Sequence, residues 1–339
     1  MDEPKAALLY PRATASRQVV SLDGLWRFRL DPKGEGRARQ WQQSLGSREL
    51  IPVPASFQDF FTDKEIREYT GDFWYETEAF IPGEWRGKRI ALRFDGAAHR
   101  AFLFVNGREA AFHEGGFLPF AADITALAKW GESNRVSVLV NNELSEKTLP
   151  VGRTETLPGG GKIAKPYFDF FNYSGLQRSV RLLALPETAI TDFSVIHRLV
   201  GDDAEVDYGA EASGEGEVRL RVYDEKGNEC AAAAGKRGTI RIPRARRWNV
   251  RDAYLYRFVI RLYKDGALAD EWYDDIGIRT VEVKGSAILV NGRSVYLKGF
   301  GKHEDSDFFG RGYNPAAWKR DFELLKWTGA NSFRTSHYP

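Results

Sequence analysis

The chain has 339 residues, 42% of them hydrophobic and 28% charged, with 49 Lys and Arg against 47 Asp and Glu for a formal net charge of +2. That length points to two or three domains, the apolar fraction argues against a disordered chain, and mixed charges without a basic tract argue against a nucleic-acid partner. The single cysteine, Cys230, excludes an internal disulfide framework.

No apolar run approaches the roughly 20 residues of a membrane span. Met1-Asp2-Glu3-Pro4-Lys5 lacks the apolar segment of a secretory leader. The expectation is therefore a cytoplasmic protein with no membrane partner. Aromatic residues make up 13%, with nine Trp; β-rich cores account for them, and so does stacking on carbohydrate. Asn172-Tyr173-Ser174 is a glycosylation sequon of a kind that recurs by chance.

From about residue 18 to 186 the chain reads as many short strands. Ile90, Leu92 and Phe94 alternate with Arg89, Ala91 and Arg93; Ala101 to Val105 ends in the hairpin signal Asn106-Gly107. Val136, Val138 and Val140 alternate again, and Ser179 to Leu185 closes the block before Pro186. Helical periodicity is almost absent, so the expectation for 1–186 is an antiparallel sandwich or jelly roll.

A second β block occupies 187–283. Asp192 to Leu199, Glu217 to Tyr223, Thr239 to Ile242, Tyr254 to Tyr263 and Trp272 to Ile278 read as strands, with turns at Asp224 to Asn228 and Lys264-Asp265-Gly266. Strands at that spacing suit an immunoglobulin-like sandwich without its disulfide.

From 284 to 339 the character changes. Ser294 to Phe300 reads as a strand. Asn314-Pro315 starts a helix, Trp318, Phe322 and Leu325 share one face of it, and Gly329 stops it. Asn331 to Thr335 reads as the next strand, which makes a βαβ unit. Taken as sequence alone, Asp169 among Tyr167, Phe168, Phe170 and Phe171 reads equally as the rim of a packing loop or as an acceptor for sugar hydroxyls. Arg334 and His337 before Pro339 read as turn residues. Glu304 and Asp305 are neighbours on an extended segment, so they point to opposite sides and do not flank one bond; a polar loop is the better reading. His99, His113 and His197 have no partner at metal-ligand spacing, so no metal and no cofactor is expected. His303 is assigned no role beyond a structural one.

Asn331-Ser332-Phe333-Arg334-Thr335-Ser336-His337-Tyr338-Pro339 resembles the opening of the family 2 glycoside hydrolase signature. Gly277-Ile278-Arg279, Leu289-Val290-Asn291-Gly292 and Gly299-Phe300-Gly301-Lys302-His303-Glu304-Asp305 are similar to that family's junction between sandwich and barrel. Lys302 to Asp307, Tyr167 to Gly175, and Asn141-Asn142-Glu143-Leu144 resemble its β-glucuronidase branch, as do Asp23-Gly24-Leu25-Trp26 and Thr70 to Tyr75. The matches run the length of the chain in order.

The resemblance implies a mainly β chain: a sugar-binding-type jelly roll, an immunoglobulin-like sandwich, and the first βαβ of a catalytic (β/α)8 TIM barrel. It implies retaining hydrolysis of terminal β-D-glucuronosides, small-molecule or oligosaccharide, by an enzyme that is a homo-oligomer at full length. Retention uses two carboxyl groups about 5 Å apart; in the family both are glutamates on later barrel strands, beyond Pro339, so the 339 residues alone are expected to be inactive. Asp169, Arg334 and His337 are implied pocket residues. Asp169 would meet sugar hydroxyls, Arg334 would hydrogen-bond the nucleophilic carboxylate and keep it ionised, and His337 would line the pocket. Two alternatives stand beside this reading: a non-catalytic carbohydrate-binding or interaction module, and a family 2 β-galactosidase or β-mannosidase.

Overall fold

A computed structural model describes residues 4–306 and 310–337; Asp307, Tyr338 and Pro339, which carry part of the resemblance, lie outside them. The chain is mainly β. Its first unit has a six-stranded antiparallel sheet in the order Leu50–Val53, Gly24–Asp31, Asp72–Ile81, Glu132–Asn141, Arg100–Val105, Arg108–Glu114. A four-stranded sheet, Gln18–Ser21, Val180–Leu185, Arg89–Phe94, Phe120–Asp123, lies against it. Ile90, Leu92, Phe94, Val180 and Leu182 from the smaller sheet share one core with Trp26, Phe28, Phe73, Tyr75 and Val138 from the larger. Period-two alternation puts those side chains on one face of each strand. Phe73, Trp74 and Tyr75 are nevertheless all buried, because the opposite face of this strand is covered too: Trp74 packs with Trp41, Leu45, Phe104 and Leu139. Asn106 and Gly107 turn the expected hairpin with φ of 51° and 79°, the left-handed pair that matches strand twist.

The second unit stacks a three-stranded sheet, Ile190–Val200, Asp203–Ala212, Arg237–Ile242, on a four-stranded one, Glu229–Ala234, Glu217–Tyr223, Tyr256–Lys264, Ala267–Ile276. In its core Val206, Tyr208 and Ile240 from the first of these sheets meet Val218, Leu220, Val222, Phe258 and Ile260 from the second. Asp203–Ala212 and Glu229–Ala234 are strands that the sequence pattern did not announce. Their Ala, Gly and Glu content has weak strand preference, and pairing with stronger neighbours decides their state.

The last unit opens with a small sheet of Val281–Lys284, Ala287–Val290 and Arg293–Ser294. The expected strand from Ser294 to Phe300 is corrected here. Asn291 and Gly292, with φ of 52° and 75°, fold Arg293–Ser294 back onto Val290 and Leu289, and the next strand is Gly299–Lys302. That strand pairs in parallel with Ser332–Thr335, and the helix Pro315–Trp327 crosses between them. The helix begins as expected: the Asn314 carboxamide oxygen accepts from the amides of Ala316 and Ala317, each at 3.0 Å. It ends before Gly329, whose φ of 81° suits a glycine stop. The parallel strands approach so closely that a Cβ on Gly299 would lie 2.6 Å from the carbonyl carbon of Ser332.

Candidate functional site

Parallel strands joined by a helix present their C-terminal ends on one face, where barrel active sites form. Here the register sets Gly301 beside Arg334 and Lys302 beside Thr335, so His303 and His337 emerge next to each other. Their rings meet edge to face, with centroids 5.3 Å apart. His303 Nδ1 lies 3.5 Å from Asp305 Oδ1. Lys302 is held below this rim, its Nζ 2.5 Å from Asp321 and 5.5 Å from the Trp318 ring centre, both on the helix. Arg334 and His337 are exposed, and the Arg334 guanidinium makes no hydrogen bond or ion pair among the described residues.

Glu304 has a different task. It accepts two hydrogen bonds from Arg178 Nη2, at 2.6 and 2.9 Å, and one from Arg311 Nε at 3.1 Å. Arg311 is 2% exposed, lies over the Phe117 ring at 4.3 Å, and its amide donates to Ser56 Oγ. The loop after the first parallel strand is thereby fastened to the first sandwich. This is the structural polar-loop role, with partners that the sequence did not name.

The segment Tyr167 to Gly175 comes from that sandwich, and buried amides and hydroxyls tie it down. The Gln58 carboxamide donates to Ser174 Oγ and accepts from the Ser174 amide at 3.1 Å. Asn142 Nδ2 donates to Ser174 Oγ at 2.9 Å. Asn172 donates to the Asn142 carbonyl at 3.2 Å, and its Oδ1 lies 2.8 Å from His99 Nε2. His99 is 2% exposed; burial, and secondarily the nearby Arg311 and Arg100, lower its pKa to about 4 against the opposing Asn172 hydrogen bond. It is neutral near pH 7; because Asn172 Nδ2 donates to the Asn142 carbonyl, Asn172 turns its Oδ1 to His99, and the tautomer with the proton on Nε2 donates to it. The sequon asparagine is thus already engaged from two sides.

Tyr173 packs against Phe171, with ring centroids 4.9 Å apart. Its hydroxyl donates to the Asp59 carboxylate; burial first, then Asp59 and Asp305, raise its pKa well above the usual phenol range. Asp169, four residues earlier, is exposed and makes no hydrogen bond or ion pair among the described residues. No such contact joins Asp169 to Arg334 or His337. What the structure brings together is His337 with His303, and the loop after the first parallel strand with the first sandwich, through Glu304 and Arg178, three residues beyond the Tyr167–Gly175 segment. His99 and Tyr173 are the supporting residues whose partners sequence reasoning missed. The short apolar run Ala97-Ala98 ahead of His99, buried in the fold, is a local signal for that histidine; Tyr173 offers none. Among the described residues no group of three or more His, Cys, Asp or Glu could hold a metal ion.

Comparisons with known proteins agree with this architecture. Family profiles match in chain order: "Glycosyl hydrolases family 2, sugar binding domain" over residues 19–186, "Glycosyl hydrolases family 2" over 188–279, and "Glycosyl hydrolases family 2, TIM barrel domain" over 281–339. A β-glucuronidase of Paenibacillus borealis is 45% identical over 340 residues, covering 98% of this chain and 57% of its own length. One from Canis lupus familiaris is 39% identical, covering 99% and 56%. The structure of a Ruminococcus gnavus β-glucuronidase in complex with D-glucuronic acid superposes with a TM-score of 0.96 at 51% identity, over 100% of this chain and 59% of that one. The chain thus spans a little over half the length of the relatives it matches. With all three profiles in order over nearly its whole length, the chain belongs to glycosyl hydrolase family 2.

Proposed function

We propose that this chain forms the front part of a retaining β-glucuronidase, which hydrolyses terminal β-D-glucuronosides. The observation that carries the reading is the fastening of the loop after the first parallel strand to the first sandwich, through the Arg178–Glu304 pair three residues beyond the Tyr167–Gly175 segment that holds Asp169. Relatives at 45% and 39% identity bear the β-glucuronidase name.

In this reading the reaction runs through two glutamates of later barrel strands, about 5 Å apart, one the nucleophile and one the acid/base. Arg334 offers an exposed, unshared guanidinium on the second strand. A carboxylate beside it is stabilised in its charged form, as a nucleophile requires. Asp169 offers a charged acceptor to sugar hydroxyls, and His337, steadied by His303, borders the sugar. The substrate is a β-glucuronide, and the complete enzyme is a homo-oligomer. The test is hydrolysis of chromogenic β-glucuronide, β-galactoside and β-mannoside by the protein from the full reading frame. Preference for either of the latter two overturns the glucuronidase assignment.

A further inference from the structure

Five arginines fall between Arg241 and Arg251 in the second sandwich. Three of them are engaged locally: Arg241 pairs with Asp203, Arg246 pairs with Asp252, and Arg251 donates to the Gly329 carbonyl. Arg244 and Arg247 have no carboxylate partner among the described residues, and neither has Arg293, which follows the turn at Asn291 and Gly292. These three line one cavity of about 490 Å³ between the second sandwich and the small sheet ahead of the first parallel strand. Asn249 and Asn291 line it too, and Asp202 is its only acid among the described residues.

The wall is held in place by its own hydrogen bonds. Arg247 Nη2 donates to the Gly201 carbonyl at 2.7 Å, which orients the guanidinium and leaves its other N–H groups unshared among the described residues. Asn291 accepts from the Thr280 amide at 3.1 Å and donates to the Trp248 carbonyl at 2.9 Å. Asn249 Oδ1 accepts from the Val250 amide at 2.9 Å. Arg244 stands in left-handed backbone with φ of 47°, and its amide donates to Asp203 Oδ1 at 2.7 Å. Glycine or asparagine holds such a turn at lower cost, so the turn does not itself call for arginine.

Three guanidiniums against one carboxylate give the cavity a net charge of +2, equal to that of the whole chain. Like charges gathered without a counter-charge repel one another, and a bound oxyanion relieves that repulsion. The paired N–H donors of guanidinium groups match phosphoryl oxygens. No aromatic ring lines the cavity among the described residues, so a nucleobase has nothing to stack on and recognition falls on the charged group. The Asp202 carboxylate makes no hydrogen bond or ion pair among the described residues, and it can accept from a hydroxyl beside the oxyanion. The volume lies within the range of about 300–1,000 Å³ that small-molecule pockets span.

We propose that this cavity binds the phosphoryl group of a hydroxylated small molecule, with Arg244, Arg247 and Arg293 holding the oxyanion and Asp202 a neighbouring hydroxyl. The site does not depend on the glucuronidase reading above.

The test is isothermal titration of the protein from the full reading frame, in a buffer free of other oxyanions, with inorganic phosphate, glycerol phosphate and sulfate. Phosphate is expected to bind with a Kd of about 1 mM or tighter, and glycerol phosphate at least as tightly. Phosphate at neutral pH carries a hydroxyl for Asp202 and sulfate carries none, so sulfate should bind more weakly, and Asp202→Ala should erase that preference. Arg244→Gln and Arg293→Gln should each weaken phosphate about tenfold, the worth of a hydrogen bond to a charged group. Arg246→Gln removes a neighbouring guanidinium already paired with Asp252 and should leave binding unchanged. Unchanged thermal melting without ligand shows that the variants are folded. No phosphate binding, or binding that survives both Arg244→Gln and Arg293→Gln, overturns the site. Equal weakening by Arg246→Gln reduces it to a general basic surface and overturns it as well. Sulfate held as tightly as phosphate, or glycerol phosphate held more weakly than the free ion, overturns the assignment to a phosphorylated small molecule.

Discussion

Arg17 and Asp270, 253 residues apart, form a buried ion pair between the first sandwich and the second, with side chains 3% and 0% exposed. Asp270 accepts from Arg17 Nη2 at 2.5 Å and Nε at 3.0 Å, from Ser16 Oγ at 2.8 Å, and from the Ile190 amide at 2.8 Å. Arg17 also donates to the carbonyls of Ile190 and Ala6. Every buried oxygen and nitrogen of the pair is therefore occupied, which is the condition under which a buried pair is tolerated.

Breaking this pair from one side strands the other charge in the interior. Asp270→Ala is expected to destabilise the two-sandwich unit by about 3–5 kcal/mol, read as a lowered urea midpoint. Asp270→Asn, which keeps an acceptor, should cost less. Equal midpoints for Asp270→Ala and the parent chain would show that the contact contributes nothing.

His99 makes stability depend on pH. The unfolded chain takes up a proton at the ordinary histidine pKa of 6.5, and the folded chain only near 4. Above 6.5 neither state is protonated, and the fold carries no penalty from this group. As pH falls below 6.5 the unfolded state alone gains a proton, so stability drops until pH reaches the folded value. Between pH 7 and pH 5 the loss is roughly 2 kcal/mol. Urea titrations at the two pH values should show it in the parent chain, and His99→Gln should remove that increment.

Asp169 is exposed and unshared, so Asp169→Ala should leave the melting temperature of the chain unchanged, as surface substitutions usually do within about 0.5 kcal/mol. In the complete enzyme the same substitution should lower kcat/KM about 10- to 100-fold, the worth of a hydrogen bond to a charged group. Wild-type kinetics in the variant would remove Asp169 from the sugar site.

Proteolysis of the 339-residue chain should expose its weakest part. Tyr296, Leu297, Phe300, Trp327 and Phe333 are all exposed, and each forfeits roughly 1.5–3 kcal/mol of burial free energy. The neighbouring Arg311 and Tyr313 are fastened to the first sandwich through Ser56 and Gln177. Early cuts are thus expected between Gly285 and Lys298, with both sandwiches spared. A first cut inside either sandwich contradicts this ranking.

Local signals in the sequence were sufficient where the structure is locally decided. Asn314, Pro315 and Gly329 bracket the helix, and Asn106-Gly107 turns its hairpin, because caps and left-handed turns depend on a few adjacent atoms. The Ala-rich strand Glu229–Ala234 was illegible for the converse reason: only its neighbour Glu217–Tyr223 makes it a strand. Arg334 and His337 were singled out through a motif, whereas Glu304 gave no hint of Arg178, 126 residues away. Long-range polar partnerships leave no periodic trace.

Gly299 stands where the first parallel strand touches the second, with no room for a Cβ against Ser332. In an open sheet a bulkier residue there would push one strand aside and the displacement would end at the edge. A TIM barrel is a closed ring, whose circumference is fixed by the spacing of every adjacent pair. An error introduced at this seam has no edge at which to dissipate, so it must be shared by all the strands or open a gap elsewhere in the wall. An absent side chain at residue 299 thus acts as a gauge for the girth of the whole barrel.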